Sequence, residues 1–551
     1  MKDNYKPLYI LLFALALLVN FAGINVNFFT DDPGLYASLS KNMVYRHEFW
    51  ELFTYNQDWL DKPHFPFWMV LGSFKLFGIS VWAYRLPALL FFLLSLLYTW
   101  LFARKHYGDI VAATAVLILM TAQHLIMFNT DVRAEPYLMG LIIGAIYHID
   151  RLNDRFTFGQ LLMAALLTAC AVMTKGIFVV GAIYGALIGQ LLFTKKLKQL
   201  FSFKWIALLL LTFIFTLPEL YALYIQFDAH PEKVVFGRQQ VSGIKWFLWD
   251  SQFGRFINKG PITKPANGNI FFFVHTLLWA FAPWCLLFYF ALYKNIKAIW
   301  QKVKLPEYFT LGGALPLLAL FSLSKFQLPF YTNILFPLFA IITAPLCVAV
   351  LTKVDDKLRS AFQWIYILVF PVAVLVIHYF LQPGSSVLLW IDIVVFGIMV
   401  YLISSKAGQN NRKIFLLNCL AVLFANFYVN TVLYPTIASY NGQITAAAFV
   451  NEPQFANSPV YALKSENNVF QFYCDKPVST ILLEDFKKFN APGNAVFFVG
   501  KWDVDYLTKN KAGFIIIRSF ENYPQEAILP NFINKATRPQ VLDRVYLISK
   551  N

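Results

Sequence analysis

Residues 361–381 read AFQWIYILVFPVAVLVIHYFL, twenty-one positions without an Asp, Glu, Lys or Arg. A helix rises about 1.5 Å per residue, so this one is about 30 Å long, the thickness of a bilayer's hydrocarbon core. It reads as a membrane-crossing helix. Comparable apolar runs lie at 8–26, 82–103, 110–128, 135–150, 158–174, 176–194, 205–226, 270–292, 308–323, 332–351, 386–403 and 414–433. Thirteen spans predict an all-α polytopic membrane protein. Composition agrees: of 551 residues, 58% are hydrophobic and 14% charged, against about 25% charged in an average soluble protein. Most of the surface therefore faces lipid, which excludes a cytosolic enzyme, a disordered scaffold and a disulfide-rich secreted domain. The first run, preceded by Lys2 and Lys6, has the look of a signal peptide. Twelve further spans and no small-residue cleavage site favour an uncleaved helix.

Basic residues set the orientation. With the N-terminus cytosolic, 20 of the 46 Lys and Arg fall at cytosolic ends, among them Arg104, Lys195, Lys302 and Arg412. Fourteen lie in the opposite, membrane-proximal connections and 12 in the C-terminal region. The positive-inside rule favours this arrangement, and it means that the net charge of +16 is no nucleic-acid footprint. An odd number of spans then places the C-terminus outside, in keeping with a bacterial inner or plasma membrane. All large connections share that side: loop 27–81, loop 227–269 and the tail 434–551. The membrane domain is thus expected to be 1–433 and the extracytoplasmic domain 434–551. The tail has strand-like runs at 495–499 and 513–517 between polar segments, which predicts a small α/β domain. The five cysteines, Cys170, Cys285, Cys347, Cys419 and Cys474, are odd in number and unpaired in spacing. They read as small buried hydrophobes and not as a disulfide framework or zinc site.

Three polar groups stand out at the outer boundary. Asp31-Asp32-Pro33-Gly34-Leu35-Tyr36-Ala37 follows the first span, and there Asp32 before Pro33 would suit a helix N-cap. Trp59-Leu60-Asp61-Lys62-Pro63-His64 places a carboxylate, an ammonium and an imidazole in an aromatic, Pro-rich loop. Phe128-Asn129-Thr130-Asp131-Val132-Arg133-Ala134-Glu135 forms a short outer turn in which Asp131 could cap the next span. Loop 227–269 carries six basic residues against Asp228, Glu232 and Asp250, an unusual balance on the side where cations are scarce. Lys175 and Lys325 interrupt apolar stretches, and ionisable groups near membrane depth are functional candidates by default. Carboxylates beside cations at one interface suit a reaction in which a cation holds the phosphate of a lipid-linked substrate. A carboxylate would then accept the proton of an incoming hydroxyl.

These segments resemble the motifs of GT-C glycosyltransferases, in the branch of the protein O-mannosyltransferases and the lipid A aminoarabinose transferase (ArnT-like). Asp32-Pro33-Gly34-Leu35-Tyr36-Ala37 running to Met43 resembles the Asp-Glu-x-x-Tyr-Ala…Met motif of the first external loop. Asp61-Lys62-Pro63 is similar to the Glu-Lys-Pro motif, Asn129-Thr130-Asp131 to the second acidic turn, and Thr174-Lys175-Gly176 to a Thr-Lys-Gly step. Phe253-Gly254-Arg255-Phe256 with Phe281-Ala282-Pro283-Trp284 resembles the fourth-loop arginine and the Pro-Trp after it. Residues 321–331 resemble Ser-Leu-Ser-x-x-Lys-Leu-Pro-x-Tyr. The matches run in family order over about 300 residues, and thirteen spans with an external cap fit the aminoarabinose-transferase branch. Five positions depart: Pro33 for the glutamate of the first motif, Leu35 for an arginine, Asp61 for the glutamate of Glu-Lys-Pro, Gln327 for the lysine before Leu-Pro, and Trp59 for a tyrosine.

The resemblance implies an inverting glycosyl transfer from a polyprenyl-phosphate sugar, on the extracytoplasmic side, to a lipid A-like glycolipid, protein or glycan. Asp32 is then the general base, with Asp131 orienting the acceptor or assisting, and Asp31 the alternative base. Lys62 and Arg255 hold the lipid phosphate, with Lys175, Lys325 and Tyr331 along the same path. Asp61, Trp59 and His64 support the loop or the acceptor. No cofactor is required. Asp61, His64 and Asp250 could combine as ligands of a divalent metal, though no spacing demands it. The membrane's own lipids are the remaining partners. The rival class is a transporter or lipid flippase, for which Glu219 and Asp392 are the nearest intramembrane charges; a third is a scaffold whose cap does the work.

Overall fold

The computed structural model describes residues 6–265, 268–384, 386–407, 410–463, 468–523 and 528–551. All thirteen apolar runs are helical. Seven helices, Val81–Tyr107, Phe158–Lys175, Phe203–Asp228, Pro329–Val348, Lys353–Leu381, Val387–Lys406 and Asn410–Ser439, are long and apolar enough to cross a membrane unaided. The pair Asp109–Met120 and Gln123–Thr130, bent by 56°, makes an eighth if taken as one span. The other expected spans are short (Lys6–Phe21, Ile177–Phe193, Phe309–Leu323), interrupted (Phe272–Ala280, Cys285–Trp300) or charged at their ends (Glu135–Asp154). The reason is shielding. Glu135–Asp154 is buried along nearly its whole length, so protein rather than lipid solvates it and its apolar span need not match the bilayer.

The bent pair positions part of the site. Breaking a helix inside a membrane frees backbone carbonyls that must find partners within the protein. Asn20 meets this need by donating to the carbonyls of Ala16 at 2.8 Å and Met120 at 2.9 Å. Asn129 donates back to Asn20 at 2.7 Å, and the Gln123 amide donates to the Ala282 carbonyl at 2.9 Å. Thr130 donates to Asn430 at 3.0 Å. The second arm is thereby fixed, and it delivers the turn Asp131–Ala134 to one end of the bundle.

That same end carries the segments between the first two spans. Thr30, in extended conformation, is the N-cap residue of helix Asp31–Tyr45. Asp31 and Asp32 therefore lie in the first turn and Asp32 is not the cap, contrary to the sequence-based alternative. Pro33 is tolerated there because first-turn amides have no intrahelical acceptor. The cap expected at Asp131 is also absent, since Ala134 precedes helix Glu135–Asp154. A two-stranded hairpin (Phe53–Thr54 with Gln57–Asp58) and helix Phe65–Phe77 complete the segment.

The C-terminal region holds a five-stranded mixed sheet in the order Val478–Thr480, Val460–Ala462, Val496–Gly500, Asp543–Lys550, Phe514–Asn522. The first three strands are parallel and the last two pairings antiparallel. The sheet begins well after position 434, because the last long helical run continues to Ser439. The short helix Asn468–Tyr473 docks this domain on helix Asp31–Tyr45. Lys41, 3% exposed, donates to the carbonyls of Gln471 at 3.2 Å, Phe472 at 2.9 Å and Cys474, and so satisfies carbonyls left open at that helix's C-terminus. Gly34 lies against the docked helix: a Cβ there would stand 2.7 Å from Val469 Cγ2 and 3.0 Å from its amide nitrogen.

Candidate functional site

Six separate stretches of chain converge on one chamber of about 580 Å³. The first turn of helix Asp31–Tyr45 contributes Asp32, Leu35 and Tyr36, and the loop ahead of helix Phe65–Phe77 contributes Asp61 and Lys62. The turn after the bent pair contributes Arg133 and Glu135. Lys175 ends helix Phe158–Lys175, and Arg255 comes from the short helix Ser251–Ile257. Phe326, Leu328, Phe330 and Tyr331 form an aromatic and aliphatic wall. Gly176 stops the Lys175 helix at φ 106°, a left-handed conformation that costs glycine nothing.

The charges are sorted. On one side Arg133 bridges two carboxylates, Asp32 at 2.5 Å and Asp131 at 3.1 Å; Asp131 also accepts a hydrogen bond from Thr30. Burial disfavours the Arg133 charge, but Asp131 and Asp32 outweigh it and hold the guanidinium firmly protonated. On the other side Asp61 sits between two cations, Lys62 at 2.5 Å and Arg255. Burial opposes ionisation of Asp61, yet Lys62 and Arg255 together hold its carboxyl below the usual range. Burial, reinforced by Arg255, pulls Lys62 down to about 8 against the attraction of Asp61. A third pair, Lys175 with Glu135, lies between them, and the Lys175 ammonium stands 4.8 Å from the Tyr331 ring centre. The chamber opens on an apolar groove of about 950 Å³, which it meets at Lys175, Arg255, Phe326 and Tyr331.

The structure thus brings together Asp32, Lys62, Arg255, Lys175, Tyr331 and Asp61, with Asp131 one guanidinium behind. Other expected residues are placed elsewhere. Lys325 is exposed and outside the lining, although its neighbours Ser324, Phe326 and Leu328 line the chamber or the groove. Its position two residues from Gln327 carried no information about side-chain direction. Trp59 packs edge-on against Phe67 at 5.7 Å between ring centres, a support for the loop. Asp31 faces the C-terminal domain, accepting from Asn468 at 2.8 Å.

The metal set is not assembled: Asp61 faces Arg255, His64 faces Glu219, and Asp250 lies 3.9 Å from Lys245. No group of three His, Cys, Asp or Glu side chains is placed for a metal among the described residues. Glu219, a candidate transport charge by sequence, accepts the His64 amide at 2.9 Å and pairs with His64 Nδ1 at 3.0 Å. It pins the Lys62 loop to helix Phe203–Leu223. Sequence reading overlooked Arg133. A cation flanked by Asp131 and Glu135 in a short outer turn was the available signal.

Residues 61–221 match the family model described as dolichyl-phosphate-mannose-protein mannosyltransferase. A crystal structure of ArnT from Cupriavidus metallidurans bound to undecaprenyl phosphate superposes with a TM-score of 0.73 at 15% identity, covering 98% of this chain and 97% of that one. The apo form of the same protein gives 0.72, again at 15% identity and with the same coverage of 98% and 97%. An uncharacterized protein of Aquifex aeolicus (strain VF5) is 25% identical over 342 residues, 60% of this chain. The match spans only 62% of that relative's length. The chain is an integral membrane protein with the GT-C fold, and its resemblance to this glycosyltransferase branch holds in both the family model and the architecture.

Proposed function

We propose that the chain is an inverting glycosyltransferase that moves a sugar from a polyprenyl-phosphate donor to an acceptor hydroxyl on the extracytoplasmic face. One observation carries this reading: a chamber with carboxylate on one side and cations on the other opens directly onto an apolar groove. A polyprenyl phosphate has that polarity, an anion joined to a long apolar tail. The family model over residues 61–221 and the fold shared with an ArnT that binds undecaprenyl phosphate support the same class.

The residues divide the work. The donor's phosphate sits at Lys62 and Arg255, displacing Asp61 from one or both, while its tail lies in the groove. The acceptor oxygen attacks the anomeric carbon from the side opposite the phosphate, so the configuration inverts. Its proton passes to the Asp32 carboxylate as the new C–O bond forms. The bond from the anomeric carbon to the phosphate oxygen breaks, and its electron pair leaves with polyprenyl phosphate. Lys62 and Arg255 stabilise that growing charge inside a buried site. Asp131 acts through Arg133, holding the guanidinium so that it orients Asp32. The N-terminus is cytosolic, and the chamber and C-terminal domain are extracytoplasmic. Lipid A-like glycolipid, protein and glycan acceptors all present the hydroxyl that the reaction needs.

Comparing glycolipids and glycoproteins by mass spectrometry in cells with and without the chain identifies the sugar and acceptor. Reconstituted transfer from the corresponding polyprenyl-phosphate sugar should then be abolished in Asp32→Asn. Near-normal turnover in that variant would move the base to Asp31 or Asp131 and overturn the role of Asp32.

A further inference from the structure

The six basic residues of loop 227–269 can be followed to their destinations. Lys233 pairs with Asp58 at 2.9 Å, Arg255 with Asp61 in the chamber, and Lys264 stands 5.6 Å from the Phe326 ring centre. The other three, Arg238, Lys245 and Lys259, line a separate pocket of about 1210 Å³. Only Lys245 has a carboxylate near, Asp250 at 3.9 Å, and Arg238 and Lys259 have none among the described residues. Three exposed cations bordering one pocket that holds a single acid, on the side of the bundle where cations are scarce, point to an anionic ligand.

The pocket also has an apolar component. Trp249 and Phe253 stack with ring centres 3.9 Å apart. They remain 57% and 45% exposed, beside Ile257 at 44%, the pattern of a segment resting at a membrane interface. Phe253 lines both this pocket and the apolar groove, and the groove in turn meets the chamber at Arg255. Helix Ser251–Ile257 therefore stands between the two cationic sites, with the groove running from one to the other. Arg238 is held on a tight turn in which Val235 and Arg238 exchange backbone hydrogen bonds of 2.8 and 3.0 Å, with Phe236 and Gly237 both at positive φ.

We infer that this pocket is a second lipid-phosphate site, at the mouth of the groove, where the headgroup of polyprenyl phosphate is held as it exchanges between chamber and membrane. The inference rests on the proposed glycosyltransferase reading. A phosphate monoester carries about −1.5 to −2 at neutral pH, whereas the donor's diester carries one negative charge. The pocket therefore holds both lipids as they pass, the spent lipid more tightly than the donor.

The test uses the full chain in nanodiscs of neutral phosphatidylcholine, titrated with undecaprenyl phosphate and followed by native mass spectrometry. Two lipids per chain are expected at saturation. Arg238→Glu with Lys259→Glu should remove one, Lys62→Ala the other, and Arg238→Gln with Lys259→Gln should weaken the first by a smaller factor. Undecaprenol, which lacks the phosphate, should not occupy the pocket. Donor kcat/KM in the double reversal should fall about tenfold at low salt and recover at high salt, as screening requires. One bound lipid in the parent protein, unchanged in the double reversal, overturns the inference while leaving the chamber's role intact. Equal loss of undecaprenol, or a shift in acceptor KM alone, overturns it as well. Absence of any undecaprenyl phosphate binding and of transfer would instead bring down the glycosyltransferase reading.

Discussion

The two halves of the chamber are inverse in charge. Around Arg133 two carboxylates share one guanidinium; around Asp61 two cations share one carboxylate. In both, opposite charges meet, as burial of charge demands, yet each cluster keeps a surplus of one sign, negative around Arg133 and positive around Asp61. On the proposed mechanism, surplus carboxylate stands where a proton would be taken, and surplus cation where a phosphate would be left. On that mechanism Asp61 holds the place of the phosphate, keeping Lys62 and Arg255 paired until the lipid's anion displaces it. Arg133 would hold no such place, because the hydroxyl acceptor of that mechanism is neutral.

That difference predicts unequal losses. Removing the base from the acidic cluster should do most harm: Asp32→Asn keeps shape and hydrogen bonding but cannot take a proton, so transfer should fall by roughly 10²- to 10⁴-fold. Undecaprenyl phosphate affinity should stay within a few-fold. Lys62→Ala inverts the pattern. Loss of one charge-assisted contact should weaken undecaprenyl phosphate binding by roughly 10- to 100-fold, read directly by titration. If Asp32→Asn weakened lipid binding as much as Lys62→Ala, the two halves would not be functionally distinct.

The basic cluster also titrates. Lys62 is charged below its pKa of about 8 and neutral above it, and only the charged form holds phosphate. The Lys62 contribution to undecaprenyl phosphate affinity should thus be constant below pH 8 and decline as pH rises through it, by up to about tenfold per unit until the lipid-bound pKa is reached. Lys62→Arg keeps its charge throughout that range, so its affinity should lack the decline. A profile identical in Lys62 and Arg forms would assign the titration to the lipid or to another group.

Much of this was legible because membrane spans and strands are local. The thirteen apolar runs are all helical, and 495–499 and 513–517 fall within or beside strands Val496–Gly500 and Phe514–Asn522. The predicted residues that the structure gathers in one chamber, Asp32, Lys62, Lys175, Arg255 and Tyr331, lie in segments whose order resembles a known family. What escaped depends on side-chain direction and distant partners. Nothing near Arg133 in the chain shows that Asp32, about a hundred residues earlier, completes its pair. Which of the thirteen runs are long enough to cross unaided escaped the sequence for a similar reason. A short helix and a long one look alike in hydropathy when the short one is enclosed by its neighbours.

A comparison of membrane and C-terminal regions yields a milder effect. Gly34→Ala would force a methyl group against Val469, at 2.7 Å from Cγ2, and overpacking of this kind costs roughly 1–3 kcal/mol. Melting temperature should fall, and activity should fall with it, because the same helix turn carries Asp32. Val469→Ala should restore room and recover part of both; no recovery would show that the glycine serves its own helix and not the docking.

The smallest effect is expected at Lys325, and it separates position in sequence from position in space. Lys325 is exposed, its amide bonded to the Phe256 carbonyl at 2.8 Å, while Ser324 and Phe326 on either side line the groove. A side chain that reaches neither cluster cannot share in the balance of either. Lys325→Ala should therefore change undecaprenyl phosphate affinity and transfer rate by less than about twofold, since exposed charges of this sort contribute within ±0.5 kcal/mol. A loss approaching that of Lys62→Ala would mean that the lysine swings into the groove when lipid is bound. The basic cluster would then hold three cations in its working state against a single Asp61, and its surplus would be larger than the acidic side can match.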